Sequence, residues 1–312
     1  MSRRLALVVL LLGVAVTACR GASTPGEKPG DVSEQLPVLP VASSEASRSN
    51  PSPEPSPAPV VVEQAPVAKK VVILDPGHGG DEVGAARNGV VEKDSNLDMA
   101  LRVEQILLAH GVDVALTRRS DSRAAPQVPG FTAARSDLQA RLDLANAAGG
   151  DVFVSIHSNG SEDASQRGVE AWFDSNRPFA AEGRELARLL VANVLSELRS
   201  YGYVGVDHGL FDGKCFRERA GRCFTLFVIG GPRETAREEV IRRGGDPEAL
   251  GFNGGAVTYS RPADMPAALV ELLIITNPAD AAILRLEGGR NAMARGVARA
   301  ILEFLGLLDG GI

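Results

Sequence analysis

The stretch Val71-Val72-Ile73-Leu74-Asp75-Pro76-Gly77-His78-Gly79-Gly80 joins an apolar run of strand length to a glycine-rich turn that carries a histidine. A second apolar run, Val152-Phe153-Val154-Ser155-Ile156, delivers His157 into another polar turn in the same way. Open α/β sheets bind their ligands beyond the carboxyl ends of the strands. We therefore expect both histidines at one edge of a buried sheet, each held in a strand-end loop.

Glu92 supplies a carboxylate between these two histidines, in the segment Val90-Val91-Glu92-Lys93-Asp94. Taken singly, either histidine is explained equally well by a hydrogen-bonded surface position, and Glu92 by a solvated charge. Together, two imidazoles and one carboxylate that leave a fourth position open are typical of a catalytic zinc ion. We predict that His78, Glu92 and His157 converge from three strand-end loops and bind Zn²⁺.

Glu271 interrupts the apolar run 267–275, which otherwise has the composition of a buried strand. Burying an unpaired carboxylate is costly, so this group needs a cation or a proton nearby. One interpretation is an ion pair with an arginine. The functional interpretation is a general base held beside the metal.

Apolar runs of strand length alternate with helical patterns from Lys70 onward. This alternation predicts an α/β fold, in which a single domain has a mixed, mostly parallel sheet with helices on both faces. The predicted strands cover 71–74, 112–116, 152–156, 169–173 and 267–275, and the predicted helices cover 96–109, 137–148, 179–198 and 291–305.

The segment 214–259 fits this alternation poorly, so we predict that it is an insertion into the domain at 70–312. It includes a charged pattern that predicts a helix over 232–243. Cys215 and Cys223 lie eight positions apart in it. An oxidising compartment would allow them to form a disulfide, although two unrelated thiols fit the sequence equally well.

The first 69 residues have a different composition. Residues 1–19 contain two arginines, an apolar stretch too short to span a bilayer, and then Val16-Thr17-Ala18-Cys19, which resembles the lipobox of bacterial lipoproteins. An ordinary signal peptide is the alternative. Residues 20–69 hold ten of the chain's 19 prolines and no aromatic residue, which predicts a disordered linker. We expect an exported protein, lipid-anchored at Cys19 to a bacterial membrane and facing the periplasm or cell wall.

Four blocks of the chain resemble the signature of zinc-dependent N-acetylmuramoyl-L-alanine amidases. The blocks are 71–80, 91–94, 155–159 and 269–278, and their order and spacing are more specific than any one of them. The resemblance covers Lys70 to about Leu305. It implies that the zinc ligands are His78, Glu92 and His157 and that the catalytic glutamate is Glu271. The implied reaction hydrolyses the bond between N-acetylmuramic acid and L-alanine in peptidoglycan, during cell-wall remodelling or cell separation.

The sequence departs from the family pattern in places. Leu272 lies where the family usually has glycine, Ser158 where it usually has alanine, and the insertion is long. Asp75 is a candidate acceptor that orients His78, and Asn159 a candidate substrate contact, but both are equally well explained as turn residues.

Two other functions fit parts of this pattern: a zinc peptidase that cuts within the stem peptide, and a non-catalytic peptidoglycan-binding or activator lipoprotein. The absence of a His-Glu-x-x-His motif weakens the first, and the presence of all four site residues weakens the second. The insertion is either a surface that grips the glycan or a gate that an activator protein moves. A net charge of −6 does not indicate nucleic-acid binding.

Overall fold

The computed structural model describes residues 69–219 and 222–308, so the predicted signal segment, Cys19 and nearly all of the linker lie outside it. Its strands are β1 (Val71–Pro76), β2 (Ala86–Arg87), β3 (Val90–Val91), β4 (Asp113–Leu116), β5 (Val152–Asn159), β6 (Val169–Phe173), β7 (Asp207–Asp212), β8 (Arg217–Arg219), β9 (Arg222–Phe224), β10 (Glu234–Ala236), β11 (Val257–Tyr259) and β12 (Ala267–Ile274). Its α-helices are α1 (Glu92–Ala109), α2 (Ala133–Ala147), α3 (Ala180–Ser200), α4 (Arg237–Arg242), α5 (Pro278–Arg285) and α6 (Glu287–Phe304). Among these described helices, none has the length and apolar character needed to cross a membrane.

The central sheet has six strands in the order β4-β1-β5-β12-β6-β7. Neighbouring strands are parallel except for β12 and β6, which are antiparallel. Side chains on both faces are buried, as at Val72 and Ile73. Burial on both faces explains why these strands are continuous apolar runs rather than alternating patterns. The predicted α/β fold with a mixed, mostly parallel sheet is confirmed.

Helices cover both faces of this sheet, as predicted. The larger layer contains α1, α3 and α6, which bury strand residues such as Val72 and Val154. On the opposite face, Ile73 and Phe153 cluster with Leu142 of α2 and with residues of the insertion. The carboxyl ends of β1 and β5 lie side by side at one edge of this core.

The first helix begins earlier than the pattern predicts, at Glu92 rather than at residue 96. The cause is the tight hairpin between β2 and β3. Asn88 and Gly89 have φ angles of 51° and 74°, which is the backbone of a type I′ turn. The chain enters α1 directly after β3. Glu92 is therefore the first residue of a helix, and the prediction that it lies in a strand-end loop is wrong. The same prediction is wrong for His157, which lies within β5.

The helix predicted over 232–243 is shorter in the structure, because residues 234–236 form β10 and pair with β11. Only Arg237–Arg242 remain helical, as α4. The buried side chain of Val240 lies close to Gly130, in the loop that precedes α2. The helix thus packs against this loop.

The two cysteines of the segment 214–259 are joined in the structure. Cys215 and Cys223 form a disulfide with their Cα atoms 4.8 Å apart. The bridge spans the short hairpin made by β8 and β9. The disulfide therefore closes a short loop, from Cys215 to Cys223, near the start of the segment 214–259.

Candidate metal centre

The turn after β1 brings His78 to the end of β5. Gly77 donates its backbone N–H to the carbonyl of Ile156 at 3.0 Å. A Cβ atom on Gly77 would lie 2.2 Å from Nε2 of His157, so only glycine allows this approach. His78 itself has a φ of 62°, a left-handed conformation that is uncommon outside glycine. The backbone of this turn therefore brings the two histidine rings together.

Glu92 lies between the two histidines in space. Its Oε1 is 2.9 Å from Nε2 of His78 and 3.0 Å from Nδ1 of His157. Its Oε2 accepts a hydrogen bond from the backbone N–H of Ala85 at 2.7 Å. Burial disfavours the charged carboxylate, but the hydrogen bonds from His157 and His78 outweigh it and hold the pKa of Glu92 below its usual range.

The three residues fit a divalent metal ion. Each offers one ligand atom, and these atoms lie within 4.8 Å of one another. The imidazole rings of His78 and His157 meet edge to face, with their centroids 4.8 Å apart. Two imidazoles and one carboxylate are the donors that zinc prefers, and three protein ligands leave a position for substrate or water. The structure thus brings the sequence-predicted set together as a candidate zinc site.

Glu271 lies beside this cluster on β12. It pairs in register with His157 on β5 and with Glu170 on β6. Its Oε2 is buried and receives no hydrogen bond from the described residues. Burial, followed by the charges of Glu92 and Glu170, raises its pKa well above the usual range. The interpretation of Glu271 as a simple partner of an arginine finds no support among the described ion pairs.

Glu82 is not among the site residues predicted from the sequence, yet its carboxylate accepts a hydrogen bond from Nδ1 of His78. This nitrogen is on the opposite side of the ring from Nε2, which faces Glu92. Carboxylates in this position commonly fix the orientation and tautomer of metal-binding histidines. The available signal in the sequence was an acidic residue four positions after the histidine, in the same turn.

Asp75 does not accept a hydrogen bond from His78, contrary to the interpretation offered for it. Its buried carboxylate accepts from Thr117 at 2.6 Å, Arg141 at 2.8 Å and Ser155 at 2.7 Å. Arg141 also donates to the backbone carbonyl of His78 at 2.6 Å. Asp75 therefore acts on the turn through this arginine.

Asn159, the candidate substrate contact, lies two residues after His157 on the same strand. Asn159, at the end of β5, donates its amide to Oε1 of Glu170 at 2.9 Å. His208 hydrogen-bonds the carbonyl of Arg167 at 2.8 Å and is outside the candidate ligand set.

In the part that the structure describes, the insertion does not contact the candidate ligands through its glutamates. Among the described residues, no hydrogen bond or ion pair joins these glutamates to His78, Glu92 or His157. One of them, Glu239, pairs instead with Arg243 of the same segment.

Comparison with known proteins assigns the chain to a family. The family model for N-acetylmuramoyl-L-alanine amidases matches residues 72–303. The chain is 29% identical over 244 residues to the N-acetylmuramoyl-L-alanine amidase AmiA of Escherichia coli K12, covering 77% of this chain and 78% of that protein. It is 28% identical over 220 residues to LytC of Bacillus subtilis 168, covering 70% of this chain but only 32% of that protein.

A solved structure extends the comparison to three dimensions. The amidase AmiC2 of Nostoc punctiforme superimposes with a TM-score of 0.53 at 26% identity, covering 76% of this chain and 97% of that one. The residues matched by the family model, 72–303, contain the whole candidate metal centre and Glu271. The chain belongs to the N-acetylmuramoyl-L-alanine amidase family.

Proposed function

We propose that this protein is a zinc-dependent hydrolase that cuts the amide bond between the lactyl group of N-acetylmuramic acid and L-alanine in peptidoglycan. The observation that carries the proposal is the half-buried Glu271, whose Oε2 is buried, beside the cluster of His78, Glu92 and His157 in a chain of this family. These three residues would hold the metal. When bound, zinc supplies Lewis acidity that polarises a carbonyl group and lowers the pKa of water.

Glu271 is the proton carrier in this proposal. Its burial makes it a stronger base than an exposed glutamate, because the charged form is poorly solvated. It takes a proton from the attacking water and returns one to the leaving nitrogen. Hydrolysis adds the water's hydroxyl to the lactyl carbonyl carbon and a proton to the nitrogen of L-alanine. Oε2 of Glu271 receives no hydrogen bond from the described residues and is available for this exchange.

Product analysis on purified peptidoglycan tests the proposal. We expect zinc-loaded protein to release intact stem peptides that begin with a free L-alanine amino group, and chelator-treated protein to release none. Fragments cut inside the stem peptide would identify a peptidase instead. Binding without any release would identify a non-catalytic wall-binding module.

We further propose that the protein remodels the cell wall or separates cells while anchored through Cys19 to a membrane and facing the periplasm or wall. The support is the cysteine after Val16-Thr17-Ala18 and the proline-rich segment 20–69, which would act as a tether. A bacterial surface location would place the site next to its polymeric substrate.

The segment 214–259 is where we propose an activator protein would act. The support is positional, because this segment precedes β12, which carries Glu271, and because α4 packs against the loop that precedes α2. Replacing residues 232–246 with a short glycine linker should then raise the rate of hydrolysis in the absence of a partner. Equal or lower activity in a folded, zinc-loaded variant would instead favour a surface that grips the glycan.

A further inference from the structure

A row of side chains leads away from the candidate metal centre across three neighbouring strands. His157 on β5 pairs with Glu271 on β12, and Glu271 pairs with Glu170 on β6. Directly paired residues of a sheet project from the same face. Glu170 pairs in turn with Gly209 on β7, where an added Cβ atom would meet nothing within 4 Å. Beyond Glu170, the row therefore ends at a residue without a side chain, where the described residues leave space for a further group.

Glu170 is held in a fixed orientation through one of its two carboxylate oxygens. Its Oε1 accepts hydrogen bonds from Asn159 at 2.9 Å and from the indole N–H of Trp172 at 3.1 Å. Its Oε2 receives no hydrogen bond from the described residues. Unlike Oε2 of Glu271, this oxygen is not fully buried by them. A carboxylate oxygen is thus presented to the open end of the row, next to the proposed proton carrier.

The order of this row, taken together with the proposed reaction, indicates which part of the substrate would reach Glu170. In the proposed reaction the carbonyl of the scissile amide faces the metal ligands, and the nitrogen receives its proton from Glu271. Because Glu170 pairs with Glu271 on the side away from His157, it would lie on the nitrogen side of the bond in that reaction. After hydrolysis this nitrogen is the amino group of L-alanine, which is a cation at neutral pH.

We propose that Glu170 is a substrate-binding residue that accepts a hydrogen bond from the amine of the departing stem peptide. This inference rests on the proposed function and assigns the peptide side of the site. A bond between an ammonium group and a carboxylate is charge-assisted, and such bonds are roughly twice as strong as neutral ones. The contact would be weak with the uncharged amide of the substrate and strong with the ammonium group of the product.

Binding of the product's amino end tests this proposal without relying on turnover. The probes are the dipeptide L-Ala-γ-D-Glu and its Nα-acetyl derivative, each titrated by calorimetry into metal-free and zinc-loaded protein. We expect the free amine to bind wild type at least about tenfold more tightly than the acetylated peptide in both forms, as a hydrogen bond to a charged group implies. The Glu170→Gln variant should lose this preference while binding the acetylated peptide as wild type does.

Controls separate this contact from other sources of amine preference. The matched variant Glu182→Gln changes an exposed glutamate of α3 and should behave as wild type. A preference for the free amine that persists in Glu170→Gln overturns the proposal. A preference that exists only with zinc also overturns it, because it reflects binding of the amine to the metal. Zinc content and circular dichroism verify that Glu170→Gln is folded and loaded. Failure of wild type to release stem peptides from peptidoglycan would instead overturn the proposed function, which these titrations do not measure.

Discussion

His78 has a carboxylate on each side of its imidazole ring. Nε2 faces Glu92, and Nδ1 hydrogen-bonds Glu82. In the metal-bound state Nδ1 would keep the proton that it donates to Glu82, and Nε2 would lose the proton that it donates to Glu92 and direct a lone pair at the ion. Glu82 is therefore a positioning residue for the candidate ligand, although it does not face the centre itself.

Removing Glu82 should weaken metal binding. We expect Glu82→Ala to lower zinc affinity by about 10–100-fold, the usual effect of losing such a partner. Competition with a chelator of known affinity measures this directly. The control is Asp81→Ala, which changes the exposed neighbour that pairs with Arg123. Equal zinc affinity in Glu82→Ala and wild type would contradict this role.

Glu271 should be needed for turnover and not for metal binding. The Glu271→Gln variant keeps the shape of the side chain but removes the proton acceptor, so zinc content should match that of wild type. We expect hydrolysis to fall by about 10²–10⁴-fold, the usual contribution of positioned acid–base catalysis. Rates of stem-peptide release and metal analysis on the same samples give both quantities. Near-normal turnover would assign Glu271 a structural role.

The sequence was most informative where one residue broke a local pattern. His78 and His157 end apolar runs, and Glu271 interrupts one, so each was visible without tertiary information. Glu82 and Glu170 could not be recognised in this way. A carboxylate in a polar turn or at the start of a short strand is unremarkable until pairing places it beside the site.

At the scale of elements, the turn that carries His78 is fixed by α2. Arg141 of this helix donates to Oδ1 of Asp75 and to the carbonyls of Pro76 and His78. Arg141 and Asp75 are each about 1% exposed. A buried ion pair thus connects a helix on one face of the sheet to the loop that presents a candidate metal ligand.

Breaking this pair should destabilise the fold. Arg141→Met keeps most of the side-chain volume but leaves Asp75 buried without its cation, which costs about 3–5 kcal/mol in comparable cases. Urea denaturation gives the free energy of unfolding. The control is Arg261→Met, because Arg261 pairs with Asp143 at the exposed surface and should contribute within about 1 kcal/mol. A loss as small as the control's would contradict this account of the turn.

The elements that differ from prediction do so because of tertiary pairing. The helix expected over 232–243 is shortened by the hairpin of β10 and β11. The strand expected over 267–275 contains a register shift after Glu271, and Leu273 has a φ of 67°. The side chain of Leu273 is nevertheless fully buried. Local composition contains no signal for either feature, because both depend on distant partners.

At the scale of the whole molecule, the prediction for the first 69 residues rests on sequence alone. The Cys19→Ser variant should lack acyl chains, because the thiol that would be lipidated is gone. We expect it to move from the membrane fraction to soluble material or to uncleaved precursor. Cell fractionation with mass spectrometry of the mature amino terminus measures both. A wild-type protein that is soluble and unacylated would contradict the anchor.

The central claim is that this family member hydrolyses the bond between the lactyl group and L-alanine. Digesting purified peptidoglycan with zinc-loaded protein in water enriched in oxygen-18, followed by mass spectrometry of both products, tests it most directly. We expect the label to enter the lactyl carboxyl group of N-acetylmuramic acid, while the released stem peptide is intact and unlabelled. Label in a carboxyl group of the stem peptide would show cleavage within the peptide and contradict the account.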